Sequence, residues 1–132
     1  MKHLYLLLIA VLFMLGCKKV NSKHSNRSFI GRWELIQYTG FGIPNNPLQR
    51  GNGNIIELNE NGVYRRFEDG DKKFEGTYSI RQHTACSYTG SFFKTNETSI
   101  DLESIISLQT DTLSIFSSPC LMDGGGGLYR RL

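Results

Sequence analysis

From residue 29 onward, apolar and polar side chains alternate in short runs with the period of two that is typical of β-strands. The clearest run starts at Phe74, where Phe74, Gly76, Tyr78 and Ile80 alternate with Glu75, Thr77, Ser79 and Arg81. One side of such a strand is apolar and the other polar, which indicates a half-buried antiparallel strand. Similar runs, rich in β-branched and aromatic residues and separated by turn residues, continue to the end of the chain.

This pattern predicts about eight strands. The predicted segments are Phe29–Thr39, Ile55–Asn59, Val63–Phe67, Phe74–Arg81, Tyr88–Lys94, Thr98–Gln109, Thr112–Ser117 and Leu128–Leu132. Residues 98–109 are ambiguous, because Leu102, Ile105 and Ile106 have helical spacing while Ile100/Leu102 and Ile106/Leu108 alternate. We favour two strand pieces with a break near Glu103.

An open sheet of this many strands would leave two exposed edges, and closing it into a barrel removes them. The sequence therefore predicts an all-β fold: a single small antiparallel up-and-down β-barrel over residues 29–132. At about eight strands the interior is just wide enough for side chains or for one small ligand.

The turn Asn59-Glu60-Asn61-Gly62 allows two registers for the hairpin around it. A two-residue loop pairs Ile56 with Phe67, and a three-residue loop with a bulge at Gly62 pairs Leu58 with Tyr64. A slip of one residue turns every side chain to the other face, so the pattern leaves open whether Tyr64 or Phe67 points inward. In both registers Glu57 lies opposite an arginine.

Residues 1–16 are predicted to be a signal peptide. A basic start is followed by the apolar run Leu4 to Leu15, which is too short to cross a bilayer as a helix because a span needs about 20 residues. The run ends in Gly16-Cys17, which resembles the lipobox of bacterial lipoproteins. That resemblance implies cleavage before Cys17 and a membrane anchor of lipid on its thiol; the alternative is an ordinary signal peptide with an incidental cysteine.

Residues 17–28 are predicted to be the lipidated cysteine and a flexible basic tether, because Lys18, Lys19, Lys23 and Arg27 stand among few apolar residues. The tether and leader also account for the basic balance of the chain. Residues 29–132 contain 10 of the 15 Lys and Arg residues against all 12 Asp and Glu residues. A domain of this charge offers no clustered positive surface, so no nucleic-acid partner is expected.

Gly31-Arg32-Trp33 resembles the G-x-W motif on the first strand of lipocalins. Together with the lipobox, the Asn61-Gly62 hairpin and the arginines before Leu132, it resembles the small lipocalin-like, calycin-type lipoproteins of Bacteroidetes. The resemblance implies a lipocalin-like barrel closed at one end by Gly31, Trp33 and an arginine of the last strand, for which we choose Arg131. It also implies a location in the cell envelope. Lys18-Lys19 offers no acidic export signal, so we expect an outer-membrane anchor with the barrel facing the periplasm.

If Cys17 carries the lipid, Cys86 and Cys120 remain, and an even remainder in an exported domain predicts one disulfide. His83 is close to Cys86 in sequence, but two such residues do not make a metal site. No cofactor or metal is expected. The sequence contains no catalytic motif either, because His83 is the only histidine after residue 29 and no motif pairs a base with a nucleophile.

Inward-facing residues form either a packed core or the lining of a pocket. The residues expected there, besides Trp33, are Leu35, Phe74, Tyr78, Ile80, Phe92, Leu113 and Ile115. The leading hypothesis is a non-enzymatic, lipid-anchored barrel that binds a small apolar or amphipathic ligand. The alternative is a filled barrel whose loops bind or inhibit an envelope or secreted protein, for which the long loop after Thr39 and the segment after Cys120 are candidates.

Overall fold

The computed structural model describes residues 29–44, 46–97, 102–121 and 124–132. They form a closed barrel of eight antiparallel strands in which each strand pairs with its neighbours in sequence and β1 pairs with β8. The strands are β1 (Gly31–Thr39), β2 (Ile55–Leu58), β3 (Val63–Glu68), β4 (Asp71–Ala85), β5 (Tyr88–Thr95), β6 (Ser104–Gln109), β7 (Thr112–Phe116) and β8 (Gly126–Arg131). The predicted all-β, up-and-down barrel is confirmed, and it is consistent with a lipocalin-like fold.

The strand boundaries lie within two residues of the prediction except at two places. β4 is a strand of 15 residues and extends at both ends beyond its alternating stretch. In the ambiguous region, Leu102 and Glu103 are not in a strand and β6 begins at Ser104, while residues 98–101 lie outside the described residues. The predicted signal peptide, Cys17 and the tether also lie outside the described residues.

The hairpin between β2 and β3 has the second of the two predicted registers, with Leu58 opposite Tyr64. Asn59 and Val63 close a three-residue loop, and Gly62 has a φ of 76°, which glycine adopts without steric cost. Tyr64 therefore points inward and is buried. Phe67 lies on the outer face, where the guanidinium of Arg32 is 5.9 Å from its ring.

One continuous core fills the barrel. Its buried members are Phe29, Trp33, Ile56, Leu58, Tyr64, Phe93, Ile106 and Leu113, and Phe74, Tyr78, Ile80, Leu108, Ile115 and Tyr129 pack against them. The strand register explains why Ile80 and Phe93 both contribute to the core, because Ile80 on β4 lies directly opposite Phe93 on β5. Residues opposite each other in a ladder share one face of the sheet.

The predicted inward position of Phe92 is corrected. Phe92 lies opposite Arg81, one residue out of phase with the core face of β4. It is nevertheless 2% exposed, because His83 stacks on its ring at 4.0 Å and Tyr88 meets it edge-on at 5.8 Å. Phe93 takes the interior position in its place.

Candidate functional site

One end of the barrel is closed by Trp33, which is 0% exposed. Its Nε1 donates a hydrogen bond to the carbonyl of Phe29 at 2.9 Å, and the guanidinium carbon of Arg131 lies 4.1 Å from its ring centroid. Gly31 provides the room for this arrangement, because a Cβ at that position would lie 2.9 Å from Nη1 of Arg131. The three residues that the sequence assigns to barrel closure thus meet at one point.

Aromatic rings fill the middle of the barrel. Tyr64 lies 5.9 Å from Phe74 and 6.0 Å from Phe93, and Tyr78 lies 6.0 Å from Phe93, measured between ring centroids. These are ordinary distances for aromatic pairs in a core. The Tyr78 hydroxyl donates a hydrogen bond to the carbonyl of Asn59 at 2.7 Å, which ties it to the turn at the closed end. The interior at this level is packed and leaves no wide calyx among the described side chains.

A cavity of about 150 Å³ remains at the opposite, open end. Leu35 and Ile56 contribute apolar surface to it, and Tyr38, Arg66 and Tyr129 contribute polar atoms. Asn54, Ile55, Phe67 and Glu68 complete the lining. The cavity is thus amphipathic, because buried aliphatic side chains, tyrosines and charged side chains line it together.

Charged groups beside this cavity compensate one another. Nη2 of Arg66 lies 2.6 Å from a carboxylate oxygen of Glu97, and Arg66 is also paired with Glu68. Burial, and then the nearby Glu97 carboxylate, raise the pKa of Tyr64 well above its usual value. Burial also raises the pKa of Tyr129 to about 12. Both phenols therefore remain protonated at neutral pH, and the Tyr64 hydroxyl donates its hydrogen bond to the Glu97 carboxylate.

The predicted lining residues have separate positions. Leu35 lines the cavity, whereas Phe74, Tyr78, Ile80, Leu113 and Ile115 belong to the packed core. Sequence reasoning missed Arg66 and Tyr129. Arg66 is charged, and a charged side chain ordinarily faces solvent. The only sequence feature that could have indicated its inward position is the hairpin register that turns Tyr64 inward, because residues two apart on a strand share a face.

A buried ion pair on the outer face of the barrel holds the long loop between β1 and β2. The carboxylate of Glu34, 2% exposed, accepts hydrogen bonds from Nε of Arg130 at 2.8 Å and from the amide of Gly51 at 2.7 Å. Asn52 and Leu48 add hydrogen bonds to the carbonyls of β1. Burial opposes ionisation of Glu34, but the hydrogen bonds and the Arg130 charge prevail and lower its pKa.

The predicted disulfide between Cys86 and Cys120 is confirmed, with 5.5 Å between the Cα atoms. It attaches the segment after β7 to the turn between β4 and β5. Ser118 and Cys120 then line an outer groove together with Arg81 and Phe92. Nε2 of His83 lies 3.0 Å from a carboxylate oxygen of Glu103 nearby. Within the described ranges, no three histidine, cysteine or acidic side chains form a group that could hold a metal ion.

Comparisons with known proteins do not assign the chain to a family: no family model matches it, and no curated protein matches it. Across the part of the chain that the structure describes, there is no helix of the length and apolarity that crossing a membrane requires. The functional interpretation therefore depends on the geometry of the barrel itself.

Proposed function

We propose that this chain is a lipid-anchored protein of the bacterial envelope whose barrel binds a small amphipathic ligand at its open end. The observation that carries the proposal is the amphipathic cavity, whose lining combines the buried aliphatic residues Leu35 and Ile56 with Tyr129 and Arg66. Binding sites of this kind combine mostly apolar walls with a few polar groups that fix the orientation of the ligand.

The size of the cavity limits the ligand. An apolar cavity of about 150 Å³ accommodates a molecule the size of benzene, whereas drug-sized ligands occupy roughly 300–1,000 Å³. A ligand with one ring or a short branched chain fits inside, and its polar group then lies at the mouth beside Tyr129 and Arg66. Because the Arg66 charge is compensated by Glu97 and Glu68, the proposal favours a neutral hydrogen-bonding group over an anion.

The anchor part of the proposal is supported by the sequence: an apolar run of signal-peptide length ends in Gly16-Cys17. Palmitate labelling of the full-length chain in a bacterial host tests it. Incorporation of label that is lost in the variant Cys17→Ala supports the anchor, and equal labelling of both chains contradicts it.

Binding is tested by titrating the full-length chain in lipid nanodiscs with p-cresol, benzoate and benzylamine by calorimetry. We expect p-cresol to bind most tightly and Tyr129→Phe to weaken it by up to about tenfold, the effect of one lost hydrogen bond. Tyr88→Phe is the matched control, because Tyr88 does not line the cavity. Absence of saturable binding, or equal losses in the two variants, would contradict the proposal.

A second function, binding of a protein through the loop after β1, is favoured by Phe41. Its side chain is 97% exposed at the tip of a turn closed by a hydrogen bond from the Ile43 amide to the Gly40 carbonyl. Aromatic side chains are common anchors of protein interfaces. A photoreactive residue at Phe41 should trap a specific partner that the same probe at exposed Leu132 does not. The same bystanders at both positions would count against this function.

A further inference from the structure

β5 and β6 are paired over only a short part of their length. Phe92 lies opposite Ile105 and Phe93 opposite Ser104, yet β5 begins at Tyr88 and β6 continues to Gln109. If the pairing continued, Tyr88 would lie opposite Gln109. Instead, residues 88–91 pair with no described residue on the side that faces β6, and residues 106–109 pair with none on the side that faces β5. The two strands separate here.

A shallow, open cleft of about 550 Å³ lies in the barrel wall at this point, lined by residues of both strands. Phe29, Ile106 and Leu108 provide apolar surface at its base, and all three belong to the core or pack against it. Gln82, Ser91 and Ser107 lie around it. None of the residues that line the cleft carries a charge, so a charged occupant would find no ionic partner among them.

The disulfide fixes the turn at the start of β5, beside the cleft. Cys86 forms the turn after β4 with a φ of 47°, and its bond to Cys120 holds this turn at the segment that lies over the outer groove. The end of β6, in contrast, is held by β7, where Gln109 lies opposite Thr112. The tip of the β4–β5 hairpin and the end of β6 are therefore held by different partners.

We propose that this cleft accepts an extended, uncharged peptide segment of a partner protein as an added strand between β5 and β6. The backbone amides and carbonyls of the two walls that pair with no described residue call for the same groups on the occupant, and an extended strand supplies them. Four residues on each wall correspond to about 13 Å of strand. Alternate side chains of the peptide would then contact Ile106 and Leu108 at the base.

The test uses the oxidised full-length chain in lipid nanodiscs and the capped peptide acetyl-Thr-Val-Thr-Val-Thr-amide. Hydrogen exchange is measured by mass spectrometry. With the peptide at ten times its dissociation constant, we expect exchange of residues 88–91 and 106–109 to slow by about tenfold. Exchange of β3 should stay unchanged. Unchanged exchange at the cleft, or amides already protected without peptide, would overturn the proposal.

Two controls separate strand addition from simple apolar binding. The same peptide with N-methyl groups on alternate backbone nitrogens should not protect the cleft, and equal protection by it, or by decanoate, would overturn strand addition. Ser107→Lys should abolish the protection because it places a charge at the cleft, whereas Thr77→Lys, exposed and outside the cleft, should leave it intact. Equal effects of the two substitutions would also contradict the proposal.

Discussion

The guanidinium carbon of Arg131 lies 4.1 Å from the centroid of the Trp33 ring, so the last strand closes the barrel over the indole of the first. The pairing of β1 with β8 places the two residues directly opposite each other. The preceding arginine, Arg130, points to the other face and pairs with Glu34. Two consecutive arginines therefore stabilise opposite faces of the same strand pair.

Replacing Arg131 with methionine removes the contact with Trp33 and a hydrogen bond of 3.0 Å to the carbonyl of Ile30. We expect the free energy of unfolding to fall by about 1–2 kcal/mol, the usual range for a cation over an indole together with one hydrogen bond. Urea denaturation followed by fluorescence of Trp33, the only tryptophan, measures it. Arg32→Met is the control: its guanidinium is more than half exposed, 3.7 Å from the Glu57 carboxylate and as far as 5.9 Å from the Phe67 ring, so the loss should stay under about 1 kcal/mol and below that of Arg131→Met. Equal losses would contradict the assignment.

Glu34 should make the stability of the barrel dependent on pH. Its pKa in the folded chain is lowered from the usual value of 4.5, so the unfolded chain binds the proton more readily. The stabilisation is then fully present above pH 4.5 and is lost as the pH falls through the folded-state pKa.

The variant Glu34→Gln tests this dependence. At pH 7 it should lower the free energy of unfolding by about 1.5–3 kcal/mol, because hydrogen bonds from charged Arg130 to a carboxylate are lost. Its stability should also vary less than that of the wild type between pH 6 and pH 3. The amide of Gly51 should exchange faster, since the carboxylate accepts its hydrogen bond. Parallel pH profiles for variant and wild type would contradict this role of Glu34.

The bond between Cys86 and Cys120 joins residues 34 apart in sequence. In the chain-entropy model, a loop of this length contributes about 3–4 kcal/mol to the free energy of unfolding. Replacing both cysteines with serine should lower the stability by this amount under oxidising conditions. Under reducing conditions the variant and the wild type should unfold at the same urea concentration. A difference that persists in reductant would show that the cysteines act through packing instead.

Gly62 tests the register of the β2–β3 hairpin. Alanine in its place would adopt a φ of 76° against its preference, although its Cβ meets only the Tyr78 carbonyl oxygen, at an ordinary 3.6 Å. We expect a loss of about 1 kcal/mol from backbone strain. Asn61→Ala, at the exposed tip of the same turn, should be close to neutral. Equal stabilities of the Gly62 and Asn61 variants in urea would contradict the three-residue loop.

The alternation of apolar and polar residues was sufficient to predict the barrel and the inward face of β4, where every second residue from Phe74 to Ile80 is apolar or glycine. It was not sufficient for β5. Phe92 and Phe93 are adjacent and equally apolar, so the pattern does not distinguish the face that joins the core from the face that packs on His83.

The positions of Glu34 and Arg66 were less predictable, because charged side chains ordinarily face solvent. Glu34 is buried by a loop without hydrophobic periodicity, and its partner Arg130 is distant in sequence. Arg66 lines the cavity, where its charge is paired with Glu97 and Glu68. Pairings between such distant residues arise from the closed topology, which a local pattern does not encode.

Native mass spectrometry of the full-length chain, extracted from the envelope of a bacterial host, would detect a ligand bound in the barrel. We expect a small-molecule adduct of fixed mass that is released on denaturation and is weakened in Tyr129→Phe but retained in Tyr88→Phe. A protein that carries only its covalent modifications, with no adduct in any preparation, would contradict ligand binding at the open end of the barrel.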